Sequence, residues 1–207
     1  MSLLEAFQRL TTNRRPLQVD SDNNLYVVQG LPKYARLAAE GKLFAFDTHA
    51  GTAKAPVTAP PTTSPEWALY NFSKDEYLVV LTAAITLISG TAGLGLALMG
   101  AVAAGLQTPV TADYASTIKS CLDGSRTQPD FYVTNNPTLI NTPAWVPLDA
   151  TKVNSVATNS VGDSMIAPVE GQLIAKPNGG VVAFEAVGET GTTALYSVSG
   201  IAAMVKL

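Results

Sequence analysis

Residues 77–112 read YLVVLTAAITLISGTAGLGLALMGAVAAGLQTPVTA and carry no charged side chain. Three structures can absorb such a run. A membrane-spanning helix needs roughly 20 consecutive apolar residues, and the length suffices. The interior does not suit it: Thr82, Thr86, Ser89, Gly90, Thr91, Gly93, Gly95, Gly100 and Gly105 interrupt the run. The flanks are acidic on both sides, Asp75 and Glu76 before and Asp113 after, so a basic anchor on one side is missing. A phosphate-binding loop fails on chemistry. Gly93-Leu94-Gly95 lacks the third glycine of a dinucleotide loop, and Ala101-Val102 stand where a Walker loop needs Lys-Ser/Thr. Paired strands fit best. Leu81, Ala83, Ile85 and Leu87 alternate with Thr82, Ala84, Thr86 and Ile88, the period of a strand. Residues 89–93 (SGTAG) supply turn chemistry, and residues 94–102 return as a second strand whose glycines permit close backbone approach. The expectation is a β-hairpin with both strands in a sandwich core.

The chain downstream repeats the pattern. Asn135-Asn136-Pro137 and Asn141-Thr142-Pro143 read as turns. Residues 168–175 lead into Lys176-Pro177-Asn178-Gly179-Gly180 and then residues 181–187 (VVAFEAV), a strong local hairpin signal. Gly188-Glu189-Thr190-Gly191 precedes residues 192–197, and residues 201–207 close the chain as a final strand. Short strands between Gly/Pro/Asn turns predict a mainly β protein, an antiparallel β-sandwich of jelly-roll-like form. The sandwich is expected over residues 66–207.

Upstream, residues 1–65 read as an N-terminal extended arm carrying one or two short helices. Leu3, Leu4, Phe7 and Leu10 form one apolar stripe at helical spacing, with Ser2 and Glu5 placed as a capping box and Pro16 as a stop. Glu5, Gln8 and Arg9 break the apolar core that a secretory signal requires. A helix this short is marginal in water, so it must dock on its own domain or on a neighbouring subunit. Residues 25–29 are a short strand candidate. Pro32 opens a second helix with Tyr34, Leu37 and Ala38 on one face and Gly41 as terminator. Residues 43–46 (LFAF) are strand-like. Residues 51–65, rich in Thr, Ala and Pro, read as a linker or extended arm.

Of 207 residues, 47% are apolar and only 14% charged; 13 basic against 16 acidic groups give a net charge of −3. This balance offers no basic face for nucleic-acid phosphates and does not suit disorder. A lone Cys121 excludes an intrachain disulfide, and a lone His49 leaves little for a multi-histidine metal site. No Gly-x-Ser-x-Gly motif accompanies His49, and nothing beside Ser120-Cys121 activates the thiol. The acids are scattered, so a glycosidase carboxylate pair could form only through the fold. Asp20-Ser21-Asp22-Asn23-Asn24 lacks the central glycine and final glutamate of a calcium loop and reads as a solvated turn. Phe131-Tyr132 and Trp145 read as core or interface anchors, with sugar or base stacking as the alternative. No catalytic residue, cofactor site or metal site is expected.

Residues 33–45 (KYARLAAEGKLFA), 69–72 (LYNF), 77–81 (YLVVL), 88–93 (ISGTAG) and 188–193 (GETGTT) together resemble virion structural proteins of tailed bacteriophages. The resemblance, over residues 33–207, is to the small β-sandwich proteins that decorate or cement the capsid. It implies a jelly-roll-like sandwich, often a homotrimer, gripping major capsid protein through its arm, and no catalytic residues. The expected interface residues are Leu3, Leu4, Phe7, Leu10, Tyr34, Trp67 and Tyr70, with self-association through strands such as 77–88 and 201–207. Neither nucleic acid nor membrane is an expected partner. The implied location is the capsid surface of a virion assembled in the host bacterial cytoplasm. The alternatives are a tail, adaptor or host-receptor-binding component and, in a different class, a carbohydrate-binding or carbohydrate-active β-sandwich.

Overall fold

The computed structural model describes residues 34–48, 53–93, 95–107, 118–124, 129–152, 164–189 and 193–206. The helix expected over the first fifteen residues, the strand at 25–29, the turn at 20–24 and His49 lie outside them. The chain divides into Met1–Lys33 and a compact unit, Tyr34–Leu207.

That unit begins with a short helix, α1 (Ala35–Ala39), and continues through ten strands: β1 (Leu43–Asp47), β2 (Trp67–Asn71), β3 (Tyr77–Ser89), β4 (Gly95–Ala103), β5 (Ile118–Ser120), β6 (Phe131–Asn135), β7 (Val146–Lys152), β8 (Ser164–Ala175), β9 (Val181–Gly188) and β10 (Leu195–Val205). They form two five-stranded sheets, sheet I in the order β5-β1-β10-β3-β8 and sheet II in the order β6-β2-β9-β4-β7. Every strand pairing is antiparallel. Apart from β6 and β7, consecutive strands lie in opposite sheets. With β5 and β6 set aside as one added edge strand per sheet, the remaining orders β1-β10-β3-β8 and β2-β9-β4-β7 are those of a jelly roll.

Within the uncharged run, Tyr77–Ser89 and Gly95–Ala103 are strands, as the alternation predicts, but β3 and β4 are not a hairpin. β3 pairs with β10 and β8 in sheet I, and β4 with β9 and β7 in sheet II. Residues 90–93 follow β3 in sheet I and lead toward β4 in sheet II. The Pro-Asn-Gly-Gly turn does the same, joining β8 in sheet I to β9 in sheet II. Asn178 and Gly179 adopt φ of 59° and 102°, as in a hairpin turn. Their amides, however, donate to Ser73 O (2.8 Å) and Asn71 O (2.7 Å) of the neighbouring β2–β3 arch. Among the described residues no helix is long and apolar enough to cross a membrane.

The core lies between the sheets. Phe44 meets Phe131 edge-on at 5.8 Å, and Phe46 stacks with Phe184 at 6.1 Å, each pair joining sheet I to sheet II. Phe131 and Phe184 are fully buried, and such burial stabilises by about 2 to 3 kcal/mol per ring. Ala83, Ile85 and Leu87 face this core. Leu81 does not: it is the extra residue of a bulge, skipped between Ile201↔Thr82 and Ala202↔Val80, and it turns to the outer face.

There Leu81 joins Leu43 and Ala203 under Tyr34, Leu37 and Ala38, so α1 covers part of sheet I. The helix ends as its glycine predicts. Gly41 sits at φ 69°, and Gly41 N and Lys42 N donate to Ala38 O and Leu37 O, a Schellman closure. The expected division at residue 65 is corrected by these contacts. β1 is an interior strand of sheet I, and the proline-rich stretch is fastened to the sandwich rather than free. Lys54 pairs with Tyr196 and Val57 with Val187, Leu139 N donates to Thr63 O (2.7 Å), and Trp145 Nε1 donates to Pro61 O (2.9 Å). Proline removes some donors from that stretch, but backbone groups of Lys54, Val57, Pro61 and Thr63 still find partners on the sandwich.

Candidate interaction surface

The outer face of sheet II carries an aromatic row. β2 and β6 pair in a register that sets Tyr70 opposite Tyr132, with ring centroids 5.1 Å apart. Phe72 continues past the end of β2, its ring 5.8 Å from Tyr132, and its N–H donates to Asp130 O at 3.0 Å. Phe72 remains 46% exposed. Burial, and then Tyr70 beside it, push the Tyr132 hydroxyl up to about 12, so it stays neutral at physiological pH.

Inward from Tyr70 the face is floored by small residues. Ala68, Ala103, Val181 and Ala183 form a second apolar cluster with Leu106 and Leu139, and Tyr70 and Trp145 pack against it. Two glycines keep the floor low between Tyr70 and the exposed Ile140. A Cβ on Gly105 would lie 3.0 Å from Ile140 Cδ1 and 3.3 Å from Gly179 O, and one on Gly179 would lie 3.2 Å from Tyr70 Oη. The result is a continuous uncharged strip from Ile140 through Tyr70 and Tyr132 to Phe72. Apolar bodies with wet hydroxyl tips are what interface anchors require.

Sheet I offers a second uncharged area beyond α1. Thr82, Ala84 and Thr86 of β3 lie between Ile201, Ser199 and Ser197 of β10 and Pro168 and Ile166 of β8. Ile166 is 65% exposed. The sheet edges, by contrast, resist pairing. β5 has 3 residues and β6 has 5. β7 carries Pro147 beside a register shift. β8 carries Pro168 followed by Glu170 and Gly171 in the left-handed region, and its register jumps from Thr82↔Pro168 to Val80↔Leu173. Short, bulged and proline-bearing edges disfavour strand addition.

The expected interface residues separate on this frame. Tyr70 lies at the centre of the aromatic row. Tyr34 is partly buried in its own domain over Leu43 and Leu81. Trp67 is a correction: it is fully buried in the core, opposite Phe184, and cannot touch a partner. Strand alternation places Trp67 and Tyr70 on opposite faces, and composition does not say which face looks inward. Leu3, Leu4, Phe7 and Leu10 lie outside the described residues. The strands 77–88 and 201–207 expected to self-associate correspond to β3 and β10, interior strands of sheet I that can offer a partner only their outer face. Phe131 is core, and Trp145 is tied to Pro61. Cys121 is exposed, and partial burial of its thiol raises its pKa, the opposite of activation. Phe72 and Ile140 escape a sequence reading because a single apolar residue beside a turn looks the same whether covered or bare. Compared with protein-family models, with curated proteins and with solved structures, the chain finds no match.

Proposed function

We propose that the chain is a non-enzymatic virion structural protein, a capsid decoration or cement protein that binds the outer surface of major capsid subunits and stabilises the shell. The observation that carries this reading is the contrast between closed edges and open faces. Among the described residues, the β5, β7 and β8 edges are very short, bulged or proline-bearing, while the strip Phe72–Tyr132–Tyr70–Ile140 and the area around Ile166 offer uncharged surface to a partner. A molecule so built adheres through its faces. Jelly rolls serve in viral capsid and lectin domains, but a fold hosts many functions, so the surface and not the topology supports the choice. Repeated by capsid symmetry, modest contacts raise the barrier to rupture through avidity.

The test is to mix purified protein with empty capsid shells assembled from a tailed-phage major capsid protein. Saturable co-sedimentation and a higher shell-disruption temperature are expected; protein left wholly in the supernatant contradicts the reading. Copy number separates cement from a tail or adaptor role, hundreds against a dozen or fewer. The aromatic row also suits a sugar face, so a glycan-array signal lost in Tyr132→Ala, without shell binding, would favour the lectin alternative.

A further inference from the structure

Residues 53–66 form a strap that carries the chain from sheet I to sheet II. Lys54 exchanges two backbone hydrogen bonds with Tyr196 of β10, both 2.8 Å. Val57 N donates to Ala186 O (2.9 Å), and Gly188 N donates to Val57 O (2.8 Å) on β9. The strap ends at Glu66, whose N–H donates to the Glu185 carboxylate at 2.9 Å. The other Glu185 oxygen accepts Ala186 N–H at 3.1 Å. Glu185 has no solvent exposure.

The charges do not balance. Lys54 Nζ lies 3.3 Å from Glu66 Oε2, and it donates to Asn136 Oδ1 at 3.2 Å. That Glu66 oxygen is buried and has no hydrogen bond beyond the ion pair. One ammonium therefore serves two carboxyl groups. Nothing else described compensates: β4, which sets Met99 opposite Glu185, carries no ionisable side chain, and β9 carries only Glu185 itself. β2 and β6 carry Tyr70 and Tyr132, which lie two register rows or more away, toward the far end of the strands. With Glu185 protonated, Glu66 and Lys54 form a neutral pair. With Glu185 ionised, a net negative charge is sealed beneath the strap, which is costly.

We propose that Glu185 makes the strap a pH-dependent latch, closed on sheet II when the carboxyl is protonated and loosened when it ionises. The direction of its titration agrees. Burial foremost, with the Glu66 charge, pushes Glu185 up to about 7 against the pull of two N–H donors and Lys54.

Hydrogen exchange of the Val57 and Glu66 amides, corrected for intrinsic rates, tests it across pH 6 to 8.5 in the full-length protein. One linked proton allows the strap's opening constant to rise by up to tenfold per pH unit below the closed-state midpoint of about 7 and to level off above it, so protection should fall by about tenfold from pH 6 to 8.5, and Glu185→Gln should flatten the profile. Glu66→Gln, which removes the like charge, should move the midpoint to lower pH even if the first variant folds poorly. Flat wild-type protection, an unchanged slope in Glu185→Gln, or an unmoved midpoint in Glu66→Gln each overturns the proposal.

Discussion

Asn71 and Glu185 both sit in sheet II with no solvent exposure, and they solve the problem of a buried polar group differently. Asn71 is saturated. The two hydrogens of its Nδ2 are shared among Glu76 O (2.9 Å), Ala175 O (3.1 Å) and Lys176 O (3.1 Å), and its Oδ1 accepts Ser73 N–H (3.0 Å). It thereby ties the β2–β3 arch to the β8–β9 arch with a group that cannot gain or lose a proton. Glu185 has both oxygens hydrogen-bonded and still lacks a full counter-charge. Hydrogen-bond satisfaction and charge compensation are separate requirements. Meeting both makes a permanent staple; meeting only the first makes a conditional one.

The largest expected effect breaks the permanent side. Asn71→Ala removes the donor that serves Glu76 O, Ala175 O and Lys176 O and one acceptor of Ser73 N–H, and should cost about 3 kcal/mol in urea unfolding. Next comes the β3–β4 arch, where Thr91 N donates to Thr193 Oγ1 at 2.9 Å. Gly90 lies there at φ 85°, and a Cβ would fall 1.9 Å from Thr193 O. Gly90→Ala should cost about 2 kcal/mol by the same measurement.

The conditional side appears in the pH dependence of stability. A carboxyl whose folded pKa is raised keeps its proton where the unfolded chain has lost it. The folded state is thus favoured below the unfolded value of 4.5 and loses that advantage as pH rises through about 7. Unfolding free energy should fall by about 3 kcal/mol between pH 4.5 and 8.5. Asn71→Ala should keep that slope and Glu185→Gln should lose it, so equal slopes in both variants would erase the distinction. The smallest effect is at the surface: Phe72→Ala should change stability by no more than about 0.5 kcal/mol.

The class of the fold was legible in residues 77–88, because alternation of Leu, Ala and Ile with Thr survives in β3 apart from the bulge at Leu81. The connections were not legible. Asn178-Gly179 supplies positive φ equally to a hairpin and to an arch, and the choice rests on Asn71 and Ser73, about a hundred residues away in sequence. β1 was visible as LFAF but not as an interior strand, since its partners β5 and β10 come much later in the chain. Of the two β2 residues expected at an interface, the structure leaves Tyr70 partly exposed and buries Trp67, because one strand presents both faces. Glu185 gave one overlooked signal: a single acid inside the apolar run VVAFEAV, where a buried charge must find partners from elsewhere.

Adhesion through the aromatic face is tested most directly by titrating empty shells with wild-type protein and with the double variant Phe72→Ala/Tyr132→Ala, both checked for equal unfolding midpoints. Wild-type protein should saturate the shells at a stoichiometry set by their symmetry, and the variant should bind at least tenfold more weakly. Equal binding by the two proteins, or none by either, would contradict the account.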